Sequence, residues 1–140
     1  MGMTHEFALF SMETSISFDN INRENCYIIH DYLICYIYDS FNWINTLSLY
    51  NKEQQGLCYT GITIFQGDSL SHLLNILKAW YNLFILGQET LILRGEFSIT
   101  TGFYEKITVQ KEDVLSQILG VITLTEKAIN TNQKIIHFGL

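Results

Sequence analysis

Apolar residues recur at helical spacing in the stretch that follows Gly67. Positions i, i+3, i+4 and i+7 lie on one side of an α-helix, so this spacing predicts an amphipathic helix. Its apolar side is formed by Leu70, Leu73, Leu74, Leu77, Trp80, Tyr81 and Phe84. Asp68 or Ser69 can cap the beginning of this helix, and Gly87 is a natural end.

A second helix is predicted from Glu112 to about Ile129. Its first turn carries Glu112 and Asp113, and the helix dipole favours negative charge at that end. Gly120 lies inside this helix, where it costs about 1 kcal/mol relative to alanine. The apolar positions are Val114, Leu115, Ile118, Leu119, Ile122 and Ile129.

Between the two helices, residues 90–99 and 103–109 alternate between apolar and polar positions, as β-strands do. Gly102 lies near the turn that joins them. On the first strand we expect Leu91, Leu93 and Phe97 to face one way and Arg94 and Glu96 to face the other.

Three further segments are candidate strands. Residues 59–65 are β-branched and aromatic, 6–18 form a weaker candidate, and 134–138 are expected to close the sheet as a short terminal strand. The resulting prediction is an α+β fold, in which a largely antiparallel sheet packs against two or three helices in a single domain, residues 1–140. The sequence leaves open whether residues 1–25 are ordered.

Residues 26–50 fit two structures. A helical stripe is formed by Ile29, Tyr32, Leu33, Tyr36, Ile37, Ser40, Phe41, Ile44 and Leu47. The many tyrosines and isoleucines between Ile34 and Tyr38 suit a strand equally well. The length of the segment favours a helix, and the strand remains the alternative.

Composition and charge narrow the class of protein. The chain is 48% hydrophobic and 16% charged and has no proline, which excludes a disordered tail.

Its net charge is −6, and the first fifty residues hold six acidic residues but only one basic residue, Arg23. This acidity opposes direct binding of nucleic acid and favours a basic protein partner. The simpler alternative is that the acids keep a hydrophobic protein in solution.

No catalytic or metal-binding signature is present. Cys26 and His30 are four residues apart, but no second pair completes a zinc site. Cys58, with His72 or His137, could form a catalytic triad in space, although a buried, inert thiol is the expected outcome for Cys58. Phosphate-binding glycine motifs are absent as well. We therefore predict no enzymatic activity, no cofactor and no metal.

The compartment follows from the cysteines and the apolar segments. Three cysteines without CxxC spacing suit free thiols in a reducing compartment. The first fifteen residues lack the pattern of a secretory signal. The longest apolar stretch, residues 26–44, is interrupted by His30, Asp31 and Asp39, which a membrane span tolerates poorly. A cytoplasmic protein without membrane contact is predicted.

Tyrosines are too numerous in residues 26–50 to fit one buried stripe, so some must face a partner. Aromatic side chains with nearby acids are typical of protein-binding surfaces. The candidate partner-binding residues are the acids Asp19, Glu24, Asp31 and Asp39, which supply an electric field, and the anchors Tyr32, Tyr36, Tyr38 and Trp43.

Several segments in residues 55–140 have a familiar pattern: GLCYTGITIFQGDSLSHLLNILKAWYNLF, LILRGEF and the ending KIIHFGL. The pattern resembles small immunity proteins of bacterial polymorphic-toxin and contact-dependent growth-inhibition systems. The resemblance implies a cytoplasmic protein that binds one cognate toxin C-terminal domain and blocks its active site or substrate entry. Many such toxins are nucleases with basic clefts. The alternative is a small structural or regulatory module that homodimerises through exposed aromatic residues.

Overall fold

The computed structural model describes residues 3–140, which form eight strands and three helices. The strands are β1 (Thr4–Phe10), β2 (Cys26–His30), β3 (Asn45–Leu47), β4 (Glu53–Gln55), β5 (Ile62–Phe65), β6 (Thr90–Ser98), β7 (Phe103–Gln110) and β8 (Lys134–Phe138). The helices are α1 (Asp31–Phe41), α2 (Asp68–Ile85) and α3 (Lys111–Asn130). The predicted α+β fold, with antiparallel strands packed against helices, is confirmed.

Six strands form the main sheet in the order β2-β1-β8-β5-β3-β4, and every neighbouring pair is antiparallel. The short strand predicted at residues 134–138 is present as β8, and it joins β1 to β5 in the middle of the sheet rather than closing the sheet. All five of its residues are buried. Burial of every residue is what a strand covered on both faces requires, and three of the five, Ile135, Ile136 and Phe138, are apolar.

The two faces of the sheet are covered by different parts of the chain. Phe7 on β1 and Ile135 on β8 point into the main core, which the three helices complete. Phe10 and Phe138 point to the opposite face. The segment between β1 and β2 covers that face through two partly buried isoleucines, Ile16 and Ile21. Within residues 1–25, whose order the sequence left open, residues 4–10 thus form an inner strand.

Residues 26–50 contain both of the structures between which the sequence could not decide. Cys26–His30 is a strand that pairs with β1, and the helix is confined to Asp31–Phe41. Tyr27 lies against α3, where a Cβ on Gly120 would come within 2.5 Å of its ring. The glycine that weakens α3 locally therefore makes room for a side chain of β2.

Helix α2 begins differently from the prediction. Its N-cap is Gly67, which has a positive φ of 59°, and Asp68 is the first helical residue. The Ser69 hydroxyl accepts a hydrogen bond from the amide of Gln66 at 2.7 Å, so it fixes the turn that precedes the helix. Glycine is favoured at Gly67 because other residues adopt this conformation only with strain.

Strands β6 and β7 form a separate two-stranded hairpin. Arg94 pairs with Lys106, and the next recorded pair is Phe97 with Tyr104. Strand β6 therefore has one more residue than β7 between these two pairs, which is a β-bulge. This bulge turns Phe97 onto the face that carries Arg94, so the expected grouping of Phe97 with Leu91 and Leu93 is wrong.

Among residues 3–140, no helix combines the length and the apolar composition that crossing a bilayer requires.

Candidate functional site

One side of α1 carries several of the predicted partner-binding residues. Because successive residues of an α-helix are about 100° apart, its residues divide into a core side and an outer side. Leu33, Ile37 and Phe41 are buried on the core side. The outer side carries Asp31, Tyr32, Cys35, Tyr36 and Asp39, with Trp43 two residues beyond the end of the helix. We call these six residues the α1 surface.

A cavity of about 480 Å³ lies between α1 and the β6–β7 hairpin. Helix α1 lines it with Asp31, Tyr32 and Cys35, and the hairpin lines it with Arg94, Glu96 and Glu105 among others. Three acidic residues and one arginine therefore line this space. The guanidinium of Arg94 lies 4.5 Å from the centre of the Tyr104 ring, a cation–π contact. We call this space the acidic cavity.

Asp31 is held firmly in this cavity by two side chains from other elements. Its Oδ1 accepts hydrogen bonds from Nε2 of His5 at 3.0 Å and from the hydroxyl of Tyr59 at 2.5 Å. Burial would raise the pKa of Asp31, but these hydrogen bonds outweigh it and hold that pKa below its ordinary value. The cavity therefore contains a fixed, ionised carboxylate at neutral pH.

Behind Asp31 lies a buried pair of histidines. Nδ1 of His5 is 2.9 Å from Nε2 of His137, and both side chains are fully buried. An ionised carboxylate can only accept, so His5 donates to Asp31 through Nε2, and its Nδ1 shares the second hydrogen bond with Nε2 of His137. Burial, reinforced by the neighbouring His5, lowers the pKa of His137 to about 3. Nδ1 of His137 is buried and lacks a hydrogen-bond partner among the described residues.

The last residues of the chain fix the position of Tyr59. The amide of Gly139 donates to the carbonyl of Gly61 at 2.8 Å, and the amide of Leu140 donates to the carbonyl of Tyr59 at 3.0 Å. Thr63 adds a further contact, since its hydroxyl accepts from the amide of Cys58 at 2.7 Å. The GIT strand and the HFG ending, which are distant in sequence, thus build one structure behind the cavity.

Sequence reasoning missed two members of this network, His5 and Tyr59. The only signal was that the HFG ending and the segment around Tyr59 belong to the same quoted pattern. Nothing in the spacing of single residues indicated that β1 and β8 would pair and place His5 beside His137. The contact depends on strand order, which is set by interactions far apart in the chain.

The predicted aromatic anchors have different environments. Trp43 is 68% exposed and Tyr36 is 43% exposed. The ring of Tyr36 meets that of Trp80 edge to face, with the centroids 6.0 Å apart. Tyr38 is half-buried, and its hydroxyl donates to the carbonyl of Leu57 at 2.9 Å. The hydroxyl of Tyr32 accepts from Gln117 on α3. Tyr36 and Trp43 are therefore the members with the most free surface.

The remaining two acids do not join the α1 surface. Asp19 and Glu24 lie in two short 3-10 helices, Phe18–Asn20 and Arg23–Asn25. These belong to the segment that covers the face of the sheet opposite the helices. Both side chains are exposed. The structure thus divides the eight predicted residues between two separate places, six near α1 and two in the segment between β1 and β2.

His137, one of the two histidines considered as a partner of Cys58, contacts His5 through its Nε2 instead. Cys58 is exposed, so the expectation of a buried thiol is wrong. Burial raises the pKa of Cys26 to about 11 and also raises that of Cys35. Within residues 3–140, no group of three His, Cys, Asp or Glu side chains is placed to hold a metal ion.

The α1 surface and the acidic cavity together form a polar and aromatic site, and exposed aromatic side chains are typical of protein-binding surfaces. No known protein family, curated protein or solved structure matches this chain.

Proposed function

We propose that this protein is a bacterial cytoplasmic immunity protein that binds a cognate toxin domain and neutralises it by blocking its active site or substrate entry. The expected partner is a basic nuclease, and the immunity protein contributes no chemistry of its own. The observation that supports this proposal is the placement of exposed aromatic side chains and a fixed carboxylate on α1 and directly after it, beside a cavity with three acids.

The acidic cavity provides a place for a basic side chain of the partner. Asp31, Glu96 and Glu105 can receive a lysine or arginine that the toxin uses to hold phosphate. Asp31 is already oriented by His5 and Tyr59, so little conformational freedom is lost when the partner binds. Complementary charge of this kind accelerates association and selects the partner.

The exposed rings supply the apolar part of the contact. Trp43 borders a small apolar groove of about 170 Å³, which is lined on α2 by Trp80 and Leu83 among others. Tyrosine and tryptophan are the residues that most often dominate the binding energy of protein interfaces. Tyr36 and Trp43 are therefore the expected anchors. Tyr38 is expected to contribute to binding indirectly, because it is half-buried against the main core.

The rival proposal is a self-associating module without a toxin partner. Pairing of two α1 surfaces would bring Asp31 and Asp39 of one copy towards the same acids of the other. Like charges oppose such an interface, so homodimerisation through this surface is disfavoured. The acidity of the α1 surface thus favours a basic partner over a second copy at this place.

The test uses the C-terminal domain of the protein encoded immediately upstream, expressed with and without this chain. The proposal expects that domain to kill cells alone, and this chain to rescue them and to co-purify with it. A harmless neighbour, or toxicity that this chain leaves unchanged, would overturn the proposal.

A pair of charge reversals tests the location of the site. Asp39→Lys with Glu96→Lys changes two exposed acids near the acidic cavity. Asp19→Lys with Glu24→Lys makes the same change in net charge on the opposite side of the sheet. We expect the first pair to slow association with the toxin at least tenfold and the control pair to change it less than threefold. Equal effects of the two pairs would show that the α1 surface is not the site.

A further inference from the structure

The β6–β7 hairpin is anchored to the body of the protein by only one half of its length. Leu91, Leu93, Ile107 and Val109 pack against the main core. Beyond Arg94 and Lys106, the hairpin continues to a turn, and its outer residues are largely exposed. At about 3.4 Å per residue, this free half extends roughly 15 Å past the anchored half. We call Thr90–Gln110 the hairpin arm.

The arm carries a concentration of exposed apolar side chains. Between 49% and 93% of the surface of each is accessible. They are Ile92, Phe97, Ile99, Phe103 and Tyr104. At about 150–250 Å² for each large side chain, they expose roughly 600 Å². Apolar patches on monomers rarely exceed this size, and those that do mark interaction sites.

Two features of the backbone leave the arm open to a partner. Among residues 3–140, β6 and β7 pair only with each other, so each strand has an outer edge without a strand neighbour. Strand β7 has no bulge or proline, and six of its eight residues are exposed. Native proteins usually protect an edge of this kind, because it readily pairs with another chain.

The charge of the arm favours a second copy of this chain as that partner. The whole chain has a net charge of −6, so two bodies repel one another. The arm is neutral, since it holds two cations, Arg94 and Lys106, and two anions, Glu96 and Glu105. Residues 97–104 at its end have no charge at all. A two-fold contact needs a self-complementary surface, and a balanced set of charges around an uncharged end satisfies that requirement.

We propose that the hairpin arm is a homodimerisation surface, on which the arm of a second copy packs with its uncharged end against the first. Two arms bury roughly 1,200 Å² between them, which reaches the lower limit of stable protein interfaces. The contact uses the outer face and the uncharged end of the arm, and the proposed toxin site uses α1 together with Glu96 and Glu105 of the arm, which line the acidic cavity. Dimerisation in this way does not require a toxin partner.

The experiment is sedimentation equilibrium of the full chain from about 1 to 200 μM, the range in which interfaces of this size associate. The arm variant carries Ile99→Ser and Phe103→Ser. Its matched control carries Tyr50→Ser and Leu86→Ser, two equally exposed apolar positions outside the arm. We expect the wild type and the control to dimerise alike and the arm variant to associate at least tenfold more weakly. Far-ultraviolet circular dichroism establishes that each variant is folded.

Hydrogen exchange of the wild type provides a measurement that needs no variant. Amides of residues 97–104 are expected to exchange more slowly at 200 μM than at 1 μM, and those of the α1 surface to exchange equally at both concentrations. A wild type that is monomeric throughout the range overturns the proposal, as does a control variant that loses association as fully as the arm variant. A monomer that pelleted with phosphatidylcholine vesicles through its arm would assign the arm to a lipid surface instead. Cell rescue by a monomeric arm variant would leave the proposed function intact.

Discussion

Gly139 lies so close to Tyr59 that a Cβ added to the glycine would be 2.2 Å from the Tyr59 carbonyl oxygen. The neighbouring hydrogen bond from the amide of Leu140 to the same oxygen holds the two segments together. The obstacle is backbone, which cannot rotate away as the end of a side chain can. The glycine of the HFG ending is therefore required by contact with the segment that carries Tyr59.

Gly139→Ala is expected to destabilise the protein by about 2 kcal/mol, because overpacking against backbone forces one of the two segments to move. Urea unfolding measures this change directly. The displacement should also weaken the hydrogen bond from Tyr59 to Asp31, which tyrosine fluorescence or a nuclear magnetic resonance signal of the hydroxyl can detect. A decrease in the free energy of unfolding of less than about 0.5 kcal/mol would show that the segments of Gly139 and Tyr59 can move apart without cost.

Asp31→Asn is expected to cost about 2 kcal/mol at pH 7, because the charged acceptor of two hydrogen bonds is lost. The pKa of Asp31 is held low, so its carboxylate stabilises the fold fully above the unfolded value of about 4 and loses this effect as the pH falls through the folded value. The difference between variant and wild type should therefore shrink below pH 4. Asp39→Asn, which changes an exposed acid on the same helix, is the control and should cost less than about 0.5 kcal/mol.

His137 gives the protein a second, separate response to acid. Its pKa is lowered to about 3, whereas an unfolded histidine titrates near 6.5. The neutral ring therefore stabilises the fold above about pH 6.5, and this stabilisation is lost progressively as the pH falls towards 3. His137 contributes at most about 1.4 kcal/mol per pH unit to the slope of the free energy of unfolding against pH.

The measurement is the free energy of unfolding of His137→Gln between pH 4 and 6.5. The variant is expected to be less stable at neutral pH and to show a shallower loss of stability on acidification than the wild type. His72→Gln alters an exposed histidine on α2 and should keep the wild-type slope. Equal slopes in His137→Gln and the wild type would mean that His137 is not the group responsible.

The sequence predicted the elements that depend on local pattern. The helix predicted between Gly67 and Gly87, the helix over 112–129 and the strands 90–99 and 103–109 agree with α2, α3, β6 and β7 to within two residues. Local periodicity is sufficient for such elements, because each repeats its pattern over several turns or pairs. Outer residues of α1 could also be identified, since the excess of tyrosines already indicated exposed positions.

Other features could not be predicted because they depend on contacts between distant parts of the chain. The place of β8 in the sheet and the contact of His5 with His137 both require the order of the strands. The bulge after Arg94 reversed the side on which Phe97 lies, although Gly95 is the kind of residue that permits a bulge. The separation of Asp19 and Glu24 from the α1 surface likewise follows from the path of residues 11–25 across the sheet.

The central position of β8 has a consequence for the order in which this protein can form during synthesis. Strands β2 and β1 on one side, and β5, β3 and β4 on the other, meet only through β8. Among the strands of residues 3–140, β8 is synthesised last, so the two halves of the sheet remain separate until it is available. Until then, each half presents an open edge to whatever it encounters. A chain that lacks residues 134–138 should therefore be unable to join the two halves of the sheet.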